Sequence, residues 1–305
     1  MKKCFIIVVF FFCSWFNQAQ QNEQYTQYMY NTLTINPAYA GSRDVLSAVL
    51  LHRTQWIGLE GAPQTSSFSM HTPIERKKIG LGFNILNDQL GALSETSVTA
   101  NFSYTIDLDY FVKLSMGISA GAYLYSQDLS KLDLRYSDPF YTNNLENKLS
   151  PQVGFGFLLH SDKYYIGASI PRMLRTTNFD FENNSNYGLR ERLHYYGTAG
   201  YVFNLSKMVK FKPAGMVKLV FGSPAQVDLS ANFSYNDKFI LGTSYSISSS
   251  VSALAGFQIN DSWLLGMSYD VATSLPDGYN NGSFEFFLRF ELFKRYNKMM
   301  TPRFF

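Results

Sequence analysis

Four histidines, His52, His71, His160 and His194, are the residues from which a catalytic or metal centre would be assembled. No two of them have the spacing of metal ligands, and no cysteine lies beyond residue 19 to complete a zinc set. The acidic residues lack the Asp/Asn/Gly periodicity of a calcium loop. Gly80-Leu81-Gly82 lies inside a strand-like stretch, where glycine allows close packing or bending and cradles no phosphate. The histidines fall on different arms, with His71, His160 and His194 expected towards the turn end or mid-wall. No serine–histidine–acid set can be assembled from them. The expectation is a chain that is no enzyme and holds no cofactor or metal. The informative charges are Lys113, Asp228, Asp270, Glu285, Arg289 and Glu291, each in the polar phase of an alternating stretch. At mid-bilayer a lipid-facing charge costs about 2–4 kcal/mol, so in a membrane wall these six face the lumen.

The elements that must position them are strands. From Val98 to Ile106, and again from Val112 to Leu124, apolar residues alternate with small or polar ones. Side chains on a strand point to opposite faces with period two, so each arm has one apolar and one polar face. Arms of roughly 9–11 residues suit a strand crossing a bilayer in a closed barrel, and the pattern recurs to the end of the chain. Composition agrees: 17% of the 305 residues are aromatic and only 16% charged, against about 25% charged in soluble domains. The net charge of +3, part of it from Lys2 and Lys3, is no nucleic-acid signature.

Placed by pattern, the arms number about fourteen between residues 45 and 293, an even count as bacterial barrels require. The third is expected near 78–87, the fourth near 94–106 and the sixth near 150–160. Links after the even-numbered arms are tight, as at Asn236-Asp237 and Asn260-Asp261, while 125–149 and 171–193 are long and polar. Short turns face the periplasm in outer-membrane barrels and longer loops face outside. The phase therefore predicts an all-β transmembrane antiparallel barrel with both termini periplasmic. Residues 1–19 read as a secretory signal peptide. Residues 20–44 form a polar, aromatic segment broken at Pro37 and Gly41, expected to pack within or against the barrel at its lower mouth and hold it shut. Residues 294–305 form a basic tail, expected to be periplasmic.

Tyr28, Asn31, Asn36-Pro37-Ala38-Tyr39-Ala40-Gly41, Arg53-Thr54-Gln55-Trp56-Ile57-Gly58 and Gly61-Ala62-Pro63 together resemble the PorP/SprF family of the Bacteroidetes type IX secretion system. Ile79–Gly82, Asp88, Gly91 and the ending Thr301–Phe305 are similar to it as well. The resemblance implies an outer-membrane barrel that assists export or surface anchoring of an adhesin carrying a type B C-terminal targeting domain. The partners it implies are membrane lipid, that adhesin and other type IX secretion components. It marks Tyr28, Asn31, Asn36, Pro37, Ala38, Tyr39, Gly41, Arg53, Gln55, Trp56, Gly58, Gly61 and Pro63 as partner-binding or plug residues. Trp, Pro and Gly are also what a rim loop needs to keep its shape. The competing reading is a passive channel or small-solute transporter.

Overall fold

The computed structural model describes residues 26–74, 78–128, 145–174, 192–247, 249–273 and 282–292. The expected leader, the tail from 294 onward and most of the two long loops lie outside the described residues. Strands run β1 (Leu46–Thr54), β2 (Gln64–Ile74), β3 (Ile79–Leu90), β4 (Leu93–Asp107), β5 (Lys113–Gln127), β6 (Leu145–His160) and β7 (Tyr164–Ile170). They continue as β8 (His194–Tyr201), β9 (Phe203–Asn204), β10 (Val209–Val220), β11 (Gln226–Tyr235), β12 (Phe239–Ser246), β13 (Ser250–Gln258), β14 (Trp263–Ala272) and β15 (Ser283–Leu292). Every pairing is antiparallel, and β1 pairs with β15 from Leu46↔Leu292 to Thr54↔Phe284, which closes the sheet. β10 pairs with both β8 and β9, so these two are halves of one wall strand interrupted at Val202. The result is a closed barrel of 14 wall strands.

The faces are inverted relative to a soluble protein. Along β14, Trp263, Leu265, Met267, Tyr269 and Val271 are exposed, while Leu264, Ser268 and Asp270 are buried. Along β15, Phe284, Phe286 and Leu292 are exposed, and Glu285, Arg289 and Glu291 are buried. A wall of this kind offers its apolar side chains to lipid and keeps its polar ones for the lumen.

At the loop end several strands run past the pattern-based expectation. β3 continues to Leu90 and β4 starts at Leu93, leaving the tight turn Gly91-Ala92 where a longer link was expected. β6 begins at Leu145, earlier than 150. Apolar alternation fades toward the loop end, but the ladder continues there on polar pairs such as Asn87↔Thr96 and Asp88↔Glu95. Asn87 Nδ2 donates to Thr96 Oγ1 at 2.8 Å across that extension. Hydrogen bonding carries a strand beyond the reach of its hydrophobic signal.

Candidate functional site: a plugged lumen

Thr26 to Arg43 pass through the barrel interior as three short 3-10 turns, Tyr28–Tyr30, Thr32–Thr34 and Pro37–Tyr39. Asn36 shapes the last of them: its Oδ1 accepts from Ala38 N at 2.9 Å, and Pro37 occupies the first position of the turn. A capping side chain followed by a residue with fixed φ starts a helical turn at little entropic cost. The same Asn36 donates from Nδ2 to Phe157 O of β6 at 2.9 Å, so the cap is also a tether to the wall.

The wall makes room for this stretch along one line of register. Gly80 on β3 pairs with Ser103 on β4, Ser103 with Gly117 on β5, Gly117 with Gly156 on β6, and Gly156 with Ser169 on β7. The segment from Ile35 to Gly41 lies across that row. Ser169 Oγ donates to Ile35 O and Ser103 Oγ to Ala40 O, each at 2.6 Å. A Cβ at Gly117 would collide with Ala38 N, one at Gly156 with Asn36 Oδ1, and one at Gly80 with Ala40 O. Glycine here is a requirement of close backbone approach. Gly41 itself takes φ +73°, and its N–H donates to His71 Nδ1 at 3.1 Å. Tyr39 meets the His71 ring edge-on at 5.5 Å.

Midway, Asn31 donates from Nδ2 to Ser67 Oγ at 2.9 Å and accepts from Ser69 Oγ at 2.6 Å. Tyr30 stacks on the inward-pointing Phe287 with ring centroids 4.5 Å apart. The Lys212 ammonium, almost wholly buried, lies 5.9 Å from the Tyr30 ring and 5.8 Å from the Tyr165 ring.

Ionic clusters pin both ends. Thr26 N donates to Glu285 Oε2 at 3.0 Å and Gln27 N to Glu285 Oε1 at 2.9 Å, so one carboxylate caps the start of the plug. Arg53 of β1 reaches Glu285 at 3.1 Å and also pairs with Asp270. Thr26 Oγ1 donates to Asp270 Oδ2 at 2.6 Å and accepts from Arg53 Nη1 at 2.8 Å. At the other end Arg43 pairs with Glu291, which Arg289 also approaches at 3.5 Å. Glu285 and Glu291 lie roughly 20 Å apart along β15, at about 3.4 Å per residue.

The plug therefore runs from the loop end of β1, β14 and β15 down to the turn end. The expectation of a segment resting at the lower mouth is corrected by that path. Broken by Pro37 and Gly41, the chain cannot pair as a strand, but its donors and acceptors find partners on a polar inner wall at every level.

The motif residues divide into three groups. Tyr28, Asn31, Asn36, Pro37, Ala38 and Tyr39 are buried in the plug, Gly41 is half-buried at its lower end, and Arg53 sits in the upper cluster. Gln55, Trp56, Gly58, Gly61 and Pro63 instead form the β1–β2 loop. There Gln55 N bonds Pro63 O at 2.9 Å, and Gly91 N bonds Gly61 O at 2.9 Å. Trp56 N donates to Ser283 Oγ at 3.3 Å, folding the loop onto β15. Lys113 is half-buried at the turn end of β5, paired in register with His160, and Asp228 is buried on β11. His194, expected low or mid-wall, starts β8 at the loop end, because the long loop before it delivers the chain to the top of the wall. Among the described residues, no group of His, Cys, Asp or Glu is arranged to hold a metal ion.

Above the plug a chamber remains on the loop side. It is lined by Arg53, Asn84, Arg172, His194, Lys218 and Asp228 among others, over a floor that includes Thr26, Tyr28, Thr34 and Ile35. Its cavity volume is about 70 Å³, and it opens to solvent.

A closed antiparallel barrel with lipid-type exterior and a plugged polar lumen is an outer-membrane protein. The sequence matches the model of the type IX secretion system membrane protein PorP/SprF over residues 17–290, and the chain belongs to that family. No curated protein matches it in sequence. Among solved structures it is similar to the toluene transporter TbuX of Ralstonia pickettii, at 9% identity and TM-score 0.47, over 84% of this chain and 91% of that one. A FadL homologue of Pseudomonas aeruginosa follows at 11% identity and TM-score 0.47, covering 83% and 91%. Omp33 of Acinetobacter baumannii matches at 7% identity and TM-score 0.45, covering 82% and 100%.

Proposed function

We propose that the protein is a closed, non-enzymatic barrel that assists type IX secretion by holding a secreted adhesin at the outer surface, through that adhesin's type B C-terminal targeting domain. Family membership supplies the secretion role, and the partner is this reading's own addition. The observation that carries it is the plug. A segment tethered to the wall at both ends and along its middle occupies the lumen among the described residues, which favours a docking role over the passage of solutes. On this reading the turn end faces the periplasm, and export follows cleavage after Ala19. The outer membrane and its lipid are where the wall functions.

The test is affinity purification of the tagged protein from its native membrane, paired with planar-bilayer recording of the purified barrel. Recovery of a large surface protein with a type B targeting domain, together with a non-conducting barrel, supports the reading. A barrel that conducts steadily and brings down no such protein replaces it with the passive channel.

A further inference from the structure

The loop-side rim carries apolar side chains that lipid does not account for. Leu50, Phe68, Ile85 and Val98 lie in one line of register across β1 to β4, within the lipid-facing band. Beyond them the outward positions are polar in two successive lines, His52–Ser66–Asn87–Thr96 and Thr54–Gln64–Gln89–Ser94. His52 Nδ1 lies 2.9 Å from Ser66 Oγ, and Gln89 Nε2 donates to Asn87 Oδ1 at 3.2 Å, so these lines form a bonded polar collar. Leu59 of the β1–β2 loop and Leu90 at the end of β3 lie past the collar, 53% and 46% exposed. Apolar side chains gathered inside a polar border mark an interaction site.

The backbone beneath these leucines is fixed. Gly91 N donates to Gly61 O at 2.9 Å, and a Cβ at Gly61 would stand 3.3 Å from Gly91 Cα, so the β1–β2 loop and the β3–β4 turn pack backbone to backbone. On its other side the loop is tied to the start of β15. There Ile57 N donates to Gly282 O at 3.0 Å and Trp56 N to Ser283 Oγ at 3.3 Å. Trp56 takes φ +45°, a left-handed conformation that a bulky residue adopts only under constraint. Strain of this kind persists where the surroundings determine the backbone, and it concentrates at functional sites. A surface fixed beforehand gives up little freedom on binding.

Charge completes the surface. Glu60 is exposed between Leu59 and Gly61. From Thr54 to Ser66 and from Leu86 to Ser97 the two hairpin ends contain no Lys, Arg or His. Their other carboxylates, Asp88 and Glu95, pair in register on the lumen side, where Asp88 accepts from Thr65. Glu60 is therefore the charge that the outer tips offer. We infer that these joined tips are the docking surface for a protein segment that is apolar and flanked by Lys or Arg, its apolar side chains seated on Leu59 and Leu90 and its cation on Glu60. This rests on the reading of a barrel that holds a secreted protein at the outer surface, and names the surface and its complementary chemistry. Opposite charges steer such an encounter and fix its register, while apolar burial supplies affinity.

The experiment places the photoreactive residue p-benzoylphenylalanine at Leu90 of the full-length protein in its native membrane. Phe221, exposed across the mouth after β10, is the comparison position. Irradiation is expected to join Leu90 to a secreted surface protein, and mass spectrometry to map the adduct to an apolar peptide flanked by Lys or Arg. Glu60→Lys should lower the adduct about tenfold and Leu59→Ser about fivefold, while Glu60→Asp retains it. Heat-modifiable migration verifies that each variant is folded, and Glu60 lies outside the strands. An equal adduct from Phe221, an adduct with a second copy of this chain, or a mapped peptide without Lys or Arg overturns the inference. So does a Glu60→Lys variant that reacts as the parent does. Tagged protein that recovers a type B surface protein, with no adduct at Leu90, defeats this docking surface alone. A conducting barrel that recovers no such protein defeats the reading beneath it, and this inference with it.

Discussion

Replacing Arg53 with methionine isolates what the upper cluster contributes. Arg53, Asp270 and Glu285 are 4%, 2% and 0% exposed, so removing the guanidinium leaves two carboxylates in the wall with no cation beside them. Breaking a buried ion pair by removing one partner costs about 3–5 kcal/mol, because the remaining charge keeps its desolvation penalty. At about 1.4 kcal/mol per decade that is roughly two to three and a half decades in the unfolding equilibrium. The comparison is the triple variant Arg53→Met, Asp270→Asn, Glu285→Gln, which removes every charge in the cluster. It should recover most of the loss, retaining a deficit of about 1 kcal/mol for each hydrogen bond made worse. Urea unfolding in phospholipid vesicles, followed by Trp56 and Trp263 fluorescence, reads both. A single variant within about 1 kcal/mol of the parent would mean the cluster behaves as an exposed pair does. A triple variant as unstable as the single one would show that geometry, not uncompensated charge, sets the cost. Either result refutes the reasoning.

Deleting Gln21–Tyr39 while keeping the leader should give a barrel that inserts and conducts ions in planar bilayers; insertion with unchanged silence would remove the plug from the mechanism. Gly117→Ala and Gly156→Ala should expose the plug to added protease while wall strands stay protected, since each new Cβ would collide with plug atoms. Phe286→Arg should lower the heat-modifiable fraction by the equivalent of about 2–4 kcal/mol, with Arg289→Gln milder; equal assembly of the two would reverse the assignment of faces. Asn36→Ala removes both a cap and a tether, worth about 1 kcal/mol for each bond, and differential hydrogen exchange of residues 35–41 would register it.

The wall was legible because lipid enforces alternation: Trp263, Leu265, Met267, Tyr269 and Val271 on β14 can only face outward together. Its loop-end extensions were not, since there Asn87, Asp88, Thr96 and Glu95 pair through a ladder that leaves no hydrophobic trace. Inward Phe287 escaped notice for a related reason. It sits between Glu285 and Arg289, where alternation demands only that it face the lumen, and it finds an apolar partner there because Tyr30 of the plug arrives from far along the sequence. The glycine row is the largest element missed. Gly80, Gly117 and Gly156 are each ordinary in a strand of this type. Their meaning lies in a register that only strand pairing defines, and in a segment that crosses all of those strands at once.

That crossing bears on where specificity resides. Much of the plug's hold on the wall runs through its own backbone: Thr26 N, Gln27 N, Ile35 O, Ala40 O and Gly41 N are all bonded to wall side chains. The motif side chains that add to them, Asn31 and Asn36, are turned to the wall or to their own turn and are buried. A residue sealed between plug and barrel meets no external partner while the plug stays in place. On the proposed reading, the plug half of the family motif serves closure of the barrel. On that reading, choice of partner falls to the exposed half of the motif, at Gly58 and Gly61 of the β1–β2 loop, and to the loop-side surface around it.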